Sequence, residues 1–445
     1  MPEVLHLKPE EIDTVDKRAK YTVSVVGCGQ SGVLYGALFA EAGFKVICTD
    51  ADQSLVRRLA RGKTEFPERE ITCKIRSLTK TGAFTATSDL KGAVKQSDVI
   101  ILAIEAKIDA KTSDFSEVEN NCKQVGAALK RGSLVIYGAV AGFGFMETVV
   151  KENLENSSGL KIGEDFGLAY SPIRVFDEYP STYIVSVVAA DDDASLTSAS
   201  AFLAAVCKKD IHRVTQFKKA ELAVLFEAAR RDTNIALNNE LAILCENAGT
   251  DYFEIIKLLD KDALFSDSAP TTAGGRRSES YFLMEMAENL NAKLKLTALS
   301  RQTNEDIVRH AVNLTQDALR SCGRTFRRAK IVVLGATGPG TSGETFARML
   351  GAKGAKTSVH DPQVSKSESA NSKDLPKRSL SDVVEGSDCI VQLSGRELKP
   401  LNIRNLRPVM RLPAAIVDLT GTLEPQEVET EGFIYRGLGR GTGKK

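Results

Sequence analysis

"YTVSVVGCGQSGVLYGALFAEAGFKVICTD", Tyr21 to Asp50, is the stretch on which the fold turns. A β-rich run from Tyr21 to Val26 meets a glycine turn. An Ala- and Leu-rich helical stretch follows and ends at Gly43, and a second apolar run, Phe44 to Thr49, ends at Asp50. This is a βαβ unit. Its turn, "GCGQSG", spaces Gly27, Gly29 and Gly32 as G-x-G-x-x-G between a strand and a helix, the context in which that spacing carries a mechanism. Gly27 permits the tight turn, Gly29 removes a side chain where a pyrophosphate would lie, and Gly32 lets the helix pack closely on the sheet. Gln30 and Ser31 open the helix, whose unpaired N–H groups and positive dipole end face the phosphates. Asp50, about twenty residues on, is placed to accept both ribose hydroxyls, which favours NAD. A 2′-phosphate would be repelled there, although Arg57 and Arg58 lie not far along the chain. The cofactor-binding candidates are therefore Gly27, Gly29, Gln30, Ser31, Gly32 and Asp50. The competing reading is a domain of this type that has lost its ligand.

Outward from this unit, further strand-like runs occur at Asp98–Ile104, Ser133–Ala139 and Phe166–Pro172, with helical stretches between them. Alternating strand and helix argue for a parallel, doubly wound sheet. From about Asp193 to Gly323 the pattern becomes helical. "AELAVLFEAARRDTNIALNNELAILCENAG" is apolar at helical spacing and has no proline and no internal glycine. A helix of this length serves either as a dimer interface or as a core helix within one chain. A second strand, glycine turn, helix and strand begin at Lys330. The turn "LGATGPGTSGE" offers Gly335, Gly338, Gly340 and Gly343, with Thr341 and Ser342 as hydroxyl donors. It reads as a second phosphate cradle or as a turn that comes with the fold; the spacing is not that of a P-loop and no lysine follows. The organisation expected is a polar, mobile lead-in over residues 1–20, and a Rossmann domain over 21–192. A helical central segment over 193–323, a Rossmann-like domain over 324–440 and a tail over 441–445 complete it.

Composition excludes several classes. The 445 residues carry a formal net charge of +1, so no basic excess points to nucleic acid or to an anionic membrane surface. The first twenty residues lack the apolar core of a signal peptide, and no apolar run is long enough to span a bilayer, so a cytoplasmic protein is the default. The cysteines (28, 48, 73, 122, 207, 245, 322 and 389) never form C-x-x-C, and most sit in apolar stretches as small buried hydrophobes. With four histidines and none paired at ligand spacing, no metal site is expected.

Several segments, in order, resemble the UDP-glucose/GDP-mannose dehydrogenase family of nucleotide-sugar dehydrogenases, which includes UDP-N-acetylmannosamine dehydrogenases. They are "FTATSDLKGAVKQSDVIILAI", "DFGLAYSPIRV", the long helical stretch with its "NEL" and "CENAG", "AGGRRSESYFL", "TSVHDPQV" and "FIYRGLGR". The likeness runs from Tyr21 to about Arg440. It implies two Rossmann-like doubly wound parallel sheets joined by a helical central domain, NAD as cofactor and a nucleotide sugar as substrate. The family oxidises a sugar C6 alcohol to a carboxylate through a cysteine thiohemiacetal and thioester. A lysine, an asparagine, a glutamate and a threonine assist.

At the matching positions this chain departs from the family. Read without gaps from Gly274–Gly275, the thiol position is Arg277, next to Arg276; a loop shortened by two residues supplies no thiol either. The S-P-E-R glutamate is Ile173, the central-helix lysine and asparagine are Val224 and Ala228, and the serine–threonine pair is Gly138–Ala139. Arginine stays protonated and has no lone pair with which to attack. No catalytic residue is therefore assigned. The resulting expectation is an NAD-binding subunit silent in the thiol route. It would be a homodimer, or a regulatory partner of an active relative, with Arg276 and Arg277 as an anion-binding loop or as two solvated side chains. The alternative is an active oxidoreductase with thiol-independent chemistry and Glu227 or Glu279 as candidate base. A purely structural protein is the third reading.

Overall fold

The computed structural model describes residues 4–64, 69–109, 112–176, 179–185, 187–207, 211–259, 270–272, 278–335, 342–360, 380–393 and 402–441. The chain packs as two compact units. The first contains residues 1–227 with 281–292, and the second 228–280 with 293–445.

In the first unit the apolar runs become strands β1 (Thr22–Val26), β2 (Lys45–Thr49), β3 (Phe84–Thr87), β4 (Val99–Leu102), β5 (Leu134–Tyr137), β6 (Gly167–Tyr170), β7 (Val187–Ala189) and β8 (His212–Val214). They pair in the order β8-β7-β6-β5-β4-β1-β2-β3. All neighbours are parallel except β7 against β6. Register is set by Val23, which lies opposite Val46 on one side and Val99 on the other. Central strands β4, β5 and β6 are buried along their whole length, as expected for a sheet covered on both faces. Chain order reverses between β1 and β4, and in such sheets the crevice beyond the strand ends at that point is where ligands bind. The lead-in does not trail free. Val4, Leu7 and Ile12 are buried in this unit's core, and the Leu7 N–H donates to Ser198 Oγ at 3.2 Å. Apolar residues among its charges outweigh the polar average.

The second unit contains β9 (Lys330–Leu334), β10 (Lys356–His360), β11 (Cys389–Gln392), β12 (Ala415–Asp418) and β13 (Ile434–Gly437), in the order β10-β9-β11-β12-β13 and parallel throughout. Alternation along β9 divides the core. Ile331 and Val333 face one apolar cluster, and Val332 and Leu334 face another. The Lys295–Ser321 helix lies on the first cluster with Ile307, Val308, Ala311, Val312, Ala318 and Leu319, a helical stripe.

Beside this apolar packing lies a buried polar cluster. Asp232, on the Phe217–Ala248 helix, is fully buried. Its Oδ1 accepts from Arg301 Nη1 and Asn304 Nδ2, each at 2.8 Å, and its Oδ2 accepts from Ser280 Oγ at 3.0 Å. Asn304 Oδ1 in turn accepts from Asn239 Nδ2 at 3.0 Å, and Asn239 Oδ1 takes the Thr271 N–H at 2.9 Å. A buried ion pair satisfied in this way specifies one arrangement of two helices, and removing one partner strands the other charge. Asp232→Ala is expected to cost about 3–5 kcal/mol. Asp232→Asn, which keeps an acceptor for Arg301, should cost less; chemical denaturation of the three proteins checks this.

Candidate functional site

The site candidates meet at the carboxyl ends of β1, β2 and β4. Gly27 follows β1 with φ +94°, a left-handed conformation that disfavours any side chain. Its N–H donates to Thr49 O at 2.9 Å, holding the turn against the end of β2. A Cβ at Gly27 would meet Ala103 O and Ile104 Cγ1, both at 2.9 Å. The Gln30–Glu41 helix starts at Gly29, its N-cap. A Cβ at Gly32 would stand 1.8 Å from Gly27 O, so the helix rests directly on the turn. At Gly29 a Cβ would meet nothing within 4 Å. That glycine answers to no constraint inside the protein and looks out into open space at the mouth of the crevice. Gln30 is exposed there and Ser31 is buried.

Asp50 closes the other side. Its Oδ2 accepts the Cys28 N–H at 2.8 Å and its Oδ1 accepts the Asp52 N–H at 2.9 Å. The carboxylate is thereby fixed at the rim with lone pairs to spare. Asp52 caps the next helix through the N–H groups of Ser54 and Leu55, which hold its carboxyl below the usual aspartate range. Arg57 is exposed and turned to Gln53 Oε1 at 3.3 Å. Thus the geometry brings together all six sequence candidates (Gly27, Gly29, Gln30, Ser31, Gly32 and Asp50) around one crevice.

The positions matched to the family's catalytic set are less open. Ile173 and Val224 are 2% and 3% exposed, Ala139 is buried, and a Cβ on Gly138 would lie 2.6 Å from Tyr35 Cε2. Ala228, Glu227 and Glu279 are half-buried. Gly274, Gly275, Arg276 and Arg277 lie outside the described residues, as do Gly338, Gly340 and Thr341. Of the second glycine turn, Gly335 follows β9 with φ +122°, and Ser342 and Gly343 open the Ser342–Ala352 helix.

Three of the described thiols sit where the thiolate is disfavoured. The neighbouring Cys48 thiol and burial push Cys28 well above the ordinary thiol range; burial pushes Cys122 up to about 12 and Cys207 up to about 11. The nucleophile in thiol chemistry is the thiolate, which these environments disfavour. No cluster of three or more metal-ligating side chains occurs among the described residues, and no helix among them is long and apolar enough to cross a membrane.

The sequence reading missed Glu221 in the Phe217–Ala248 helix. It is fully buried, and its carboxylate accepts the N–H groups of Gly144 (2.7 Å) and Met146 (2.9 Å). It thus holds the loop that follows β5. Burial pushes it up to about 7, and the N–H groups of Met146 and Gly144 offset this in part. A glutamate in "KAELAVLF" gave one available signal, a charge on the apolar side of a helix.

Two family descriptions match this chain. The NAD binding domain of the UDP-glucose/GDP-mannose dehydrogenase family matches residues 21–186, and that family's central domain matches 218–306. The chain belongs to this family. UDP-N-acetyl-D-mannosamine dehydrogenase of Pyrococcus horikoshii is 27% identical over 438 residues, covering 94% of this chain and 99% of that protein. The solved structure of the P. horikoshii enzyme superposes with a TM-score of 0.78 at 26% identity, over 95% of this chain and all (100%) of that one. A Methanosarcina mazei structure described as an NDP-N-acetyl-D-galactosaminuronic acid dehydrogenase gives 0.68 at 25% identity, covering 96% of this chain and 98% of its own. The chain therefore carries the NAD binding domain of a nucleotide-sugar dehydrogenase family, an oxidoreductase family.

Two outcomes are expected. Gly29→Ala should fold with unchanged thermal stability yet lose NAD affinity by more than about tenfold. Gly32→Ala should lose at least about 1–3 kcal/mol, because backbone has to move; calorimetry with and without NAD separates them. Glu221 gives a pH signature. Its folded value lies above its ordinary 4.5, so between about 4.5 and 7 the folded chain keeps a proton that the unfolded chain releases. Its contribution to stability is fully present below that window, falls as pH rises through it and is level above. The stability of wild type relative to Glu221→Gln should decline across the same window in denaturant titrations.

Proposed function

We propose that the chain is an NAD-dependent oxidoreductase acting on a nucleotide sugar by a route that does not pass through a cysteine thioester. Gly27, Gly29, Gln30, Ser31, Gly32 and Asp50 seat the cofactor. The observation that carries this reading is the open face of Gly29 above the helix N-terminus, at the switch point of the sheet, with the Asp50 carboxylate fixed at its rim. Full-length similarity to UDP-N-acetyl-D-mannosamine dehydrogenase supports a nucleotide-sugar substrate. Bound NAD⁺ supplies the hydride acceptor, so oxidising an alcohol carbon to a carbonyl asks of the protein only a base for the hydroxyl proton and a seat for the sugar. A single two-electron step of this kind stops at the carbonyl and needs no thiol. Glu227 and Glu279 are the candidate bases, each half-buried beside the segments that match the family's catalytic ones.

A second reading is favoured by Ile173 and Val224. Both are buried hydrocarbon where the family has a glutamate and a lysine, and neither gives or takes a proton. In that reading the chain binds NAD and a nucleotide sugar without turnover, as a homodimer or beside an active relative. Leu237 and Leu244, seven residues apart on the Phe217–Ala248 helix and 41% and 60% exposed, support association along that helix.

Titration calorimetry with NAD and NADP, followed by NADH formation on a panel of UDP- and GDP-sugars, tests the proposal. Micromolar NAD binding and NADH release in stoichiometry of one per sugar are expected, with the rate lowered about a hundredfold or more by Glu227→Gln or Glu279→Gln. Binding without any NADH on the whole panel sinks the enzyme reading in favour of the silent one. Light scattering should give a mass above the 48.1 kDa of one chain.

A further inference from the structure

The stretch just beyond β4 contributes a charge to the crevice that the cofactor reading does not use. Ala103 and Ile104 are pinned on both sides. The Ala103 N–H donates to Val26 O at 2.8 Å, and Tyr137 Oη donates to Ile104 O at 2.9 Å. Both residues press against the glycine turn. The next residue, Glu105, therefore leaves the backbone at a fixed point beside the turn. Its side chain is exposed at the surface, but its Oε1 is reached by Ser31 Oγ at 3.3 Å. Ser31 lies in the first turn of the Gln30–Glu41 helix. Among the described residues Glu105 makes no ion pair; Lys107, two residues on, is engaged by Glu117 at 2.6 Å.

A carboxylate in that place responds to the same field as a phosphate. The unpaired N–H groups and the dipole of a helix N-terminus favour negative charge, whichever group supplies it. An incoming diphosphate would meet a site that already carries a like charge, and like charges repel.

We propose that Glu105 is an affinity-setting residue of the dinucleotide site: its carboxylate, held at the helix start through Ser31, opposes the diphosphate of the cofactor and weakens its binding. The inference rests on the seat of the cofactor proposed above. It assigns Glu105 no part in the chemical step. Its effect is on ligands that carry a diphosphate and not on the adenosine portion alone, and because it acts through charge it fades when salt shortens the Debye length.

The test is calorimetric titration of the full chain and of Glu105→Gln with NAD, ADP-ribose and adenosine, at low salt and at about 1 M salt, where the Debye length is about 3 Å. Glutamine keeps the shape and an acceptor for Ser31, and the side chain is exposed, so the melting temperature should not move. Expected is a Kd for NAD and for ADP-ribose lowered by about three- to tenfold at low salt. The adenosine Kd should stay unchanged and the gain should shrink at high salt. NAD binding that is equal in both proteins, or weaker in Glu105→Gln, overturns the proposal and leaves the cofactor seat standing. A gain that is the same for adenosine, or insensitive to salt, also overturns it. NAD binding by neither protein, or by both and still by Gly29→Ala, overturns the seat itself and this inference with it.

Discussion

The carbonyl of Gly27 and the Cα of Gly32 stand so close that no carbon atom fits between them. The Cβ that any other residue would bring to position 32 falls 1.8 Å from that oxygen. The rest of the first unit's crevice depends on this contact. Because the helix rests on the turn, its first N–H groups arrive at the end of β1 and not several ångströms above it. Because the turn bends through a left-handed Gly27, it can lie against Ala103 and Ile104 and still take the Thr49 carbonyl. Three strand ends are thus gathered around one helix start. Asp50 completes the rim by spending one carboxylate oxygen on the turn and the other on the next one.

The second unit secures its helices by a different means. The Phe217–Ala248 and Lys295–Ser321 helices present too many polar residues for an apolar stripe alone to fix their register. A buried carboxylate bonded to a guanidinium, an amide and a hydroxyl, with a second amide behind the first, fixes the register instead. The same network takes the Thr271 N–H and the Ser280 hydroxyl, so it reaches the residues on either side of the glycine- and arginine-containing segment. A demanding polar scaffold thus holds the residues that flank that segment.

The central strands of both sheets were legible from the sequence because an apolar run bounded by glycine and by charge has few other uses; β3, β7, β8 and β13, toward the sheet edges, were not read. The observed strands are shorter than the runs by one or two residues at one end or both, where backbone turns away before side chains stop being apolar. The glycine turn was legible for a similar reason: Gly27 and Gly32 in "GCGQSG" each have a separate steric duty, and spacing alone distributes those duties. Glu221, Asp232 and Glu105 were not legible as a group. Each is one charged residue among many, and its meaning comes from partners 75 (Met146), 69 (Arg301) and 74 (Ser31) positions away.

The sequence by itself determined the alternation of strand and helix in two α/β regions, the glycine turn between β1 and its helix with Asp50 just after β2, and the family resemblance. All of these follow from local spacing, since helix and strand periods and the steric freedom of glycine act over a few residues. Only the tertiary structure decided which charges are buried, which loops they hold and which carboxylate faces the helix start. Burial and electrostatic partnership are properties of distance in space. A chain that returns to the same crevice from β1, β2 and β4 sets those distances only once it has folded.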